Sequence, residues 1–116
     1  MRTALTALLI TLATQVTANG KTVFKCNFEQ VAFYITINNT DKAARLGNSL
    51  DIGNWGQAYF DSLHKVWVVI EYVNMGALPT TLTTIKPDGG AIHSRHSVWS
   101  AEKIWSSQSE GKCQKL

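Results

Sequence analysis

The chain has 116 residues, 45% of them hydrophobic and 16% charged, with 11 basic against 8 acidic side chains. Those values exclude an intrinsically disordered chain, which needs low hydrophobicity and high charge, and they leave room for one domain with a modest core. A net charge of +3, carried by basic residues dispersed along the sequence, is too weak for a nucleic-acid footprint.

The first segment reads as targeting rather than structure. Arg2 supplies a short positive region, residues 4–16 are mostly apolar or small, and Val16-Thr17-Ala18 fits a small-residue cleavage site. The apolar run is too short for a transmembrane helix, so the expected contact with a membrane is limited to export. Removing 18 of the 116 residues leaves a single domain over 19–116, and losing Arg2 leaves ten basic against eight acidic side chains, a mature charge of about +2. The expected location is periplasmic or secreted. Cys26 and Cys113 are the only cysteines and sit near the two ends of the mature chain. In an oxidising compartment they admit one intramolecular pairing, the alternatives being free thiols or an intermolecular bridge. A bond closing so long a loop constrains the unfolded chain by roughly 4–5 kcal/mol on the entropic account.

Residues 22–28 alternate with Phe24, Cys26 and Phe28 on one face, and residues 31–38 alternate with Val31, Phe33, Ile35 and Ile37 on one face. Both read as half-buried strands, joined by Glu29-Gln30 in a tight hairpin. Asn38-Asn39-Thr40-Asp41 is a loop and contains an N-glycosylation sequon, which counts only in a eukaryotic source. Residues 42–63 carry short alternations at Ala44/Leu46, Leu50/Ile52 and Ala58/Phe60, interrupted by Gly47, Gly53 and Gly56; they predict two or three short strands, with a short helix near 41–46 as the alternative. Residues 64–73 form the strongest strand, with Val66, Val68, Ile70 and Tyr72 on one face and Lys65, Trp67, Val69 and Glu71 on the other. Because the second face is also half apolar, Trp67 and Val69 are either covered or part of a contact surface.

After a turn at Asn74-Met75-Gly76, residues 78–99 form a hairpin around Pro87-Asp88-Gly89. A three-residue loop with Lys86 opposite Gly90 sets the register Ile85/Ala91, Thr84/Ile92, Thr83/His93, Leu82/Ser94, Thr81/Arg95, Thr80/His96 and Leu78/Val98. The Ser-rich stretch 100–111 precedes a short closing strand at Lys112-Cys113-Gln114. Many short strands, regular turns and no long amphipathic helix predict an all-β domain: a small antiparallel meander forming a barrel or sandwich, its first and last strands joined by a disulfide.

His93-Ser94-Arg95-His96 resembles a metal or catalytic cluster until strand alternation is applied. Neighbouring side chains point to opposite sides, so His93 and His96 cannot chelate one ion, and His64 supplies no zinc-like spacing. No Gly-x-Ser-x-Gly elbow, phosphate-binding glycine loop or paired carboxylate signal occurs, so no catalytic residue, metal or cofactor is assigned. His93 and Arg95 share a face with Thr81 and Thr83, the pattern of a solvated sheet face and a candidate recognition patch, whereas His96 aligns with Leu78, Leu82, Ile92 and Val98 as a core or rim histidine. Trp67 and Trp99 extend that patch. Together with Trp55 and Trp105, they either cap the ends of a barrel, or some of them line a ligand mouth or a protein interface.

The run Asp88-Gly89-Gly90-Ala91-Ile92-His93-Ser94-Arg95-His96, followed by Ser107-Gln108, Gly111 and Cys113, resembles the end of small exported proteins of alphaproteobacterial type, a group with no established activity. The layout of a Phe24-Lys25-Cys26 first strand, a meander and a terminal cysteine is similar to periplasmic inhibitors of c-type lysozyme. That similarity implies inhibition of an extracytoplasmic hydrolase. Lysozymes are basic and so is this mature chain, so the inhibitor reading stands second to a monomeric, non-enzymatic barrel that binds a protein partner or small ligand.

Overall fold

A computed structural model describes residues 20–29, 31–73, 78–100 and 102–116, without the side chains of 73, 78–80, 97–100, 103 and 104. The expected signal peptide and the 74–76 turn lie outside the described residues. Eight strands follow one another: β1 (Lys21–Phe28), β2 (Ala32–Asn38), β3 (Ala43–Ser49), β4 (Ile52–Asp61), β5 (Val66–Val73), β6 (Leu78–Ile85), β7 (Gly90–Ser100) and β8 (Lys103–Lys115). Each pairs antiparallel with the next, and β8 returns to β1, so the meander closes as a barrel rather than stacking as a sandwich. Closure leaves no open edge where β1 and β8 meet.

Local chemistry accounts for the turns. Phe28 N–H donates to the Val31 carbonyl at 2.8 Å, closing the expected tight connection between β1 and β2. In the 86–90 loop the Lys86 and Gly89 amides donate to Gly90 and Lys86 carbonyls at 2.8 and 3.0 Å, and the Asp88 carboxylate accepts from Gly90 N–H at 2.8 Å. Gly89 takes the left-handed conformation the loop requires, at φ 92°, and its carbonyl accepts from Cys113 N–H at 2.8 Å. The β6–β7 register from Ile85↔Ala91 to Thr81↔Arg95 is the expected one, but the ladder ends there, without the Thr80/His96 and Leu78/Val98 pairs. Val73 and Tyr72 of β5 pair with Leu78 and Pro79 instead, past a bulge at Glu71/Tyr72.

Residues 42–63 make two strands and no helix, and the closing strand is far longer than Lys112–Gln114. β8 pairs with β7 from Lys112↔Gly90 to Lys103↔Ser100, whereas its ladder with β1 runs only from Lys115↔Phe24 to Gly111↔Phe28. The Ser-rich part thus projects beyond the barrel as a two-stranded arm. It escapes a pattern-based reading because a strand with little to bury shows no apolar alternation. Cys26 and Cys113 are directly opposite each other in the closing ladder and form the disulfide, with Cα atoms 4.0 Å apart.

The lumen is filled unevenly. Phe24 and Phe28 of β1, Phe33, Ile35 and Ile37 of β2, and Trp67 and Val69 of β5 supply the bulk, and Ala44, Ala58 and Ala91 face them from β3, β4 and β7. Eight strands enclose little more than side chains can fill, so large residues on one side demand small ones opposite. Gly111 shows how tight the fit is: a Cβ there would stand 2.2 Å from the Asn27 carbonyl oxygen and 2.5 Å from Phe28 Cδ1. The same limit decides one open choice, leaving Trp67 and Val69 covered, and corrects one expectation. On β5 the face with Trp67, Val69 and Glu71 points inward, and Val66, Val68, Ile70 and Tyr72 lie half-buried outside. On β6 and β7 the supposed solvated face, Thr81, Thr83 and His93, is buried, whereas Leu82, Ile92 and His96 of the supposed core face are exposed.

Candidate binding sites at the two ends of the barrel

The inward residues of β1, β5 and β6 divide the lumen into three levels. Cys26, Val69 and Thr83 form a closed middle; Phe28, Glu71 and Thr81 lie toward one end, and Phe24, Trp67 and Ile85 toward the other. Each end opens on a cavity, of about 440 Å³ beside Glu71 and about 660 Å³ beside Trp67. Both volumes fall in the range that holds small ligands.

At the Glu71 end the wall is polar and hydrogen-bonded. Thr81 Oγ1 donates to Glu71 Oε1 at 2.7 Å and Asn54 Nδ2 donates to Oε2 at 2.8 Å, so both oxygens of a carboxylate that is only 8% exposed are engaged. Thr83 Oγ1 and His93 Nδ1 are hydrogen-bonded at 2.8 Å, and Thr83 is fully buried. Phe28 and Phe33 pack on the imidazole with ring centroids 5.3 and 5.2 Å away. Burial holds the His93 pKa below its ordinary 6.5, the Arg95 charge adds to that, and the Glu71 carboxylate opposes it. The imidazole is therefore neutral at neutral pH. Its Nε2 has no hydrogen-bond partner among the described residues, and Arg95, exposed at the rim of the cavity, has no ion-pair partner among them. Phe33, Leu46 and Ile52 provide the apolar part of the lining.

The Trp67 end has the opposite design. Trp67 packs against Phe60 at 4.8 Å and edge-on to Phe24 at 6.3 Å, giving an aromatic floor. Lys25, Lys65, Lys86, Lys112 and Lys115 stand around it, five of the chain's 11 basic residues, with Asp88 the only acid in the lining.

Four members of the candidate patch, Thr81, Thr83, His93 and Arg95, thus share the inward rather than the outward face: His93 and Arg95 line the Glu71-end cavity, Thr81 is bonded to Glu71, and Thr83 is buried in the middle level. Trp67 belongs to the other mouth. Trp99 lies on β7 in the projecting arm, and its side chain is outside the described residues. Trp55 is exposed and holds the Arg45 guanidinium 3.5 Å from its ring centroid, so it neither caps the barrel nor lines either cavity. His64 sits in the β4–β5 turn, 2.6 Å from the Asp61 carboxylate, and no group of three or more metal-ligating side chains occurs among the described residues. Sequence reasoning missed Glu71 and Asn54. The one available signal was a carboxylate sharing a face with Trp67 and Val69 on the most apolar strand. It also missed the lysines, which are separated by up to 90 residues and form no run. No protein-family model, curated protein or solved structure matches this chain.

Proposed function

We propose that the protein is an exported, non-enzymatic binding barrel whose polar end takes a small ligand carrying a carboxylate. The observation behind this reading is the buried Glu71 and His93 cluster beside a cavity whose rim carries an arginine with no ion-pair partner among the described residues. A barrel selected for stability alone gains little from a buried carboxylate, since apolar groups of similar size are commonly as stabilising as a satisfied charge. With both Glu71 oxygens occupied, the groups left to meet a ligand are the Arg95 guanidinium, whose planar fork matches a carboxylate, and the neutral His93 imidazole. Phe33 and Leu46 offer contact for an apolar body. Binding rather than turnover is favoured because the one hydroxyl bonded to His93, that of Thr83, is fully buried and has no route to attack a substrate. The disulfide is consistent with an oxidising, exported compartment.

Saturation-transfer NMR with a mixture of small carboxylic acids and their matching amides tests the proposal. At least one acid is expected to show transfer that its amide lacks and that Arg95→Gln removes. Silence of every acid, or hits unchanged in Arg95→Gln, would overturn it.

A further inference from the structure

The opposite mouth carries a second, independent site. Among the described residues, Lys65, Lys86, Lys112 and Lys115 have no ion-pair partner, and the lysine nearest an aromatic ring, Lys25, stands 5.9 Å from the Tyr34 centroid. Asp88 is the one acid in the described lining, a single negative charge against five lysines. The residues come from four separate parts of the barrel: β1, the β4–β5 turn, the β6–β7 turn and β8. Closure of the barrel therefore concentrates like charges around one cavity, in a chain whose formal net charge is only +3. Such convergence is self-repulsive and raises the local concentration of anions.

The donor set narrows the class of ligand. Every cation at this mouth is a lysine, a compact ammonium with three rotatable donors suited to a tetrahedral, multiply charged anion, whereas the arginine lies at the other end. Beneath the lysines, the Trp67 and Phe60 rings, tilted by 51° with centroids 4.8 Å apart, expose apolar surface against which an aromatic group can pack. We infer that this mouth binds an aryl phosphate monoester, its phosphate held by Lys86, Lys112 and neighbouring lysines and its ring against Trp67.

Isothermal titration with 1-naphthyl phosphate tests the site, with 1-naphthol and inorganic phosphate as half-ligands. The intact protein is expected to bind 1-naphthyl phosphate at least tenfold more tightly than either half. Lys86→Gln combined with Lys112→Gln is expected to weaken it at least tenfold, and Trp67→Leu several-fold, while Arg95→Gln leaves it unchanged. The lysine pair is exposed, so its substitution leaves the core intact, as a thermal melt of the oxidised protein verifies. Absence of binding at millimolar probe, inorganic phosphate binding as tightly as the ester, an unaffected lysine variant, or an equal loss in Arg95→Gln would each overturn the assignment.

Discussion

The two mouths of the barrel handle charge in opposite ways. At the Glu71 end a carboxylate and an imidazole are buried and hydrogen-bonded; at the Trp67 end the charges stay in water around half-buried Trp67 and exposed Phe60. A buried charge survives only when its partners replace the lost water, so the polar end depends on geometry. Exposed lysines need no partner, so the basic end depends on the apolar floor for stability and on the lysines only for what they attract. The same scaffold supports both because strand closure joins them through one disulfide-linked core.

Substitutions that separate the shared core from the two ends sharpen this contrast. The largest effect is expected from Cys26→Ala with Cys113→Ala, which releases both ends together at a cost of about 4–5 kcal/mol, read by urea denaturation of oxidised wild type against the variant. A loss below about 1 kcal/mol would mean that the ladder closes without the bond. Next, Trp67→Ala is expected to cost about 2–4 kcal/mol, because a large ring packed between Phe24 and Phe60 leaves a cavity. By contrast, the combination Glu71→Leu, Asn54→Leu and Thr81→Val is expected to fall within about 1.5 kcal/mol of wild type in stability, since it removes the whole buried network rather than one partner. Glu71→Leu alone, which orphans Asn54 and Thr81, is expected to cost more than the triple change. The reverse order would contradict the view that the polar end is kept for binding.

A smaller effect separates the ends by pH. His93 is faced by Thr83 from β6, Glu71 from β5, Arg95 from its own strand and the Phe28 and Phe33 rings, and the net result is a lowered pKa. The unfolded chain therefore takes up its proton first. Stability contributed by the neutral imidazole is complete above pH 6.5 and declines as pH falls from 6.5 toward the folded value. Melting temperatures measured across that interval are expected to fall in wild type and to stay flatter in His93→Gln. Asp51 and Asp61, whose pKa values are lowered by Lys21 and His64, affect stability only as pH falls below 3.8. The smallest effect is expected from Lys86→Gln with Lys112→Gln: a gain within about 0.5 kcal/mol at low salt that disappears as salt screens the repulsion.

Most strand positions, β8 excepted, the 87–89 loop, the β6–β7 register from Ile85/Ala91 to Thr81/Arg95 and the cysteine pairing were legible in the sequence, since each follows from local information. Alternation with a period of two marks a strand, Pro-Asp-Gly marks its turn, and two cysteines admit one internal bond. Alternation also separated His93 from His96 correctly. What it cannot specify is which face is inside when both carry apolar residues, as on β5, or when one pairs threonines with a histidine and the other pairs leucine with isoleucine, as on β6 and β7.

Tertiary closure made that choice. Once Phe24, Phe28, Phe33 and Trp67 occupy a narrow eight-stranded lumen, the strands opposite have room for threonine and alanine but not for Leu82 and Ile92, which are left outside. The same closure turned a supposed outer patch into a buried mouth, and it gathered five lysines, dispersed from position 25 to 115, around Trp67. The sequence by itself determined the strands that carry apolar alternation and the pairing next to their turns, because those depend on adjacent residues. Only the tertiary structure decided the inner face and the contents of each end, because those depend on the volume that eight strands enclose.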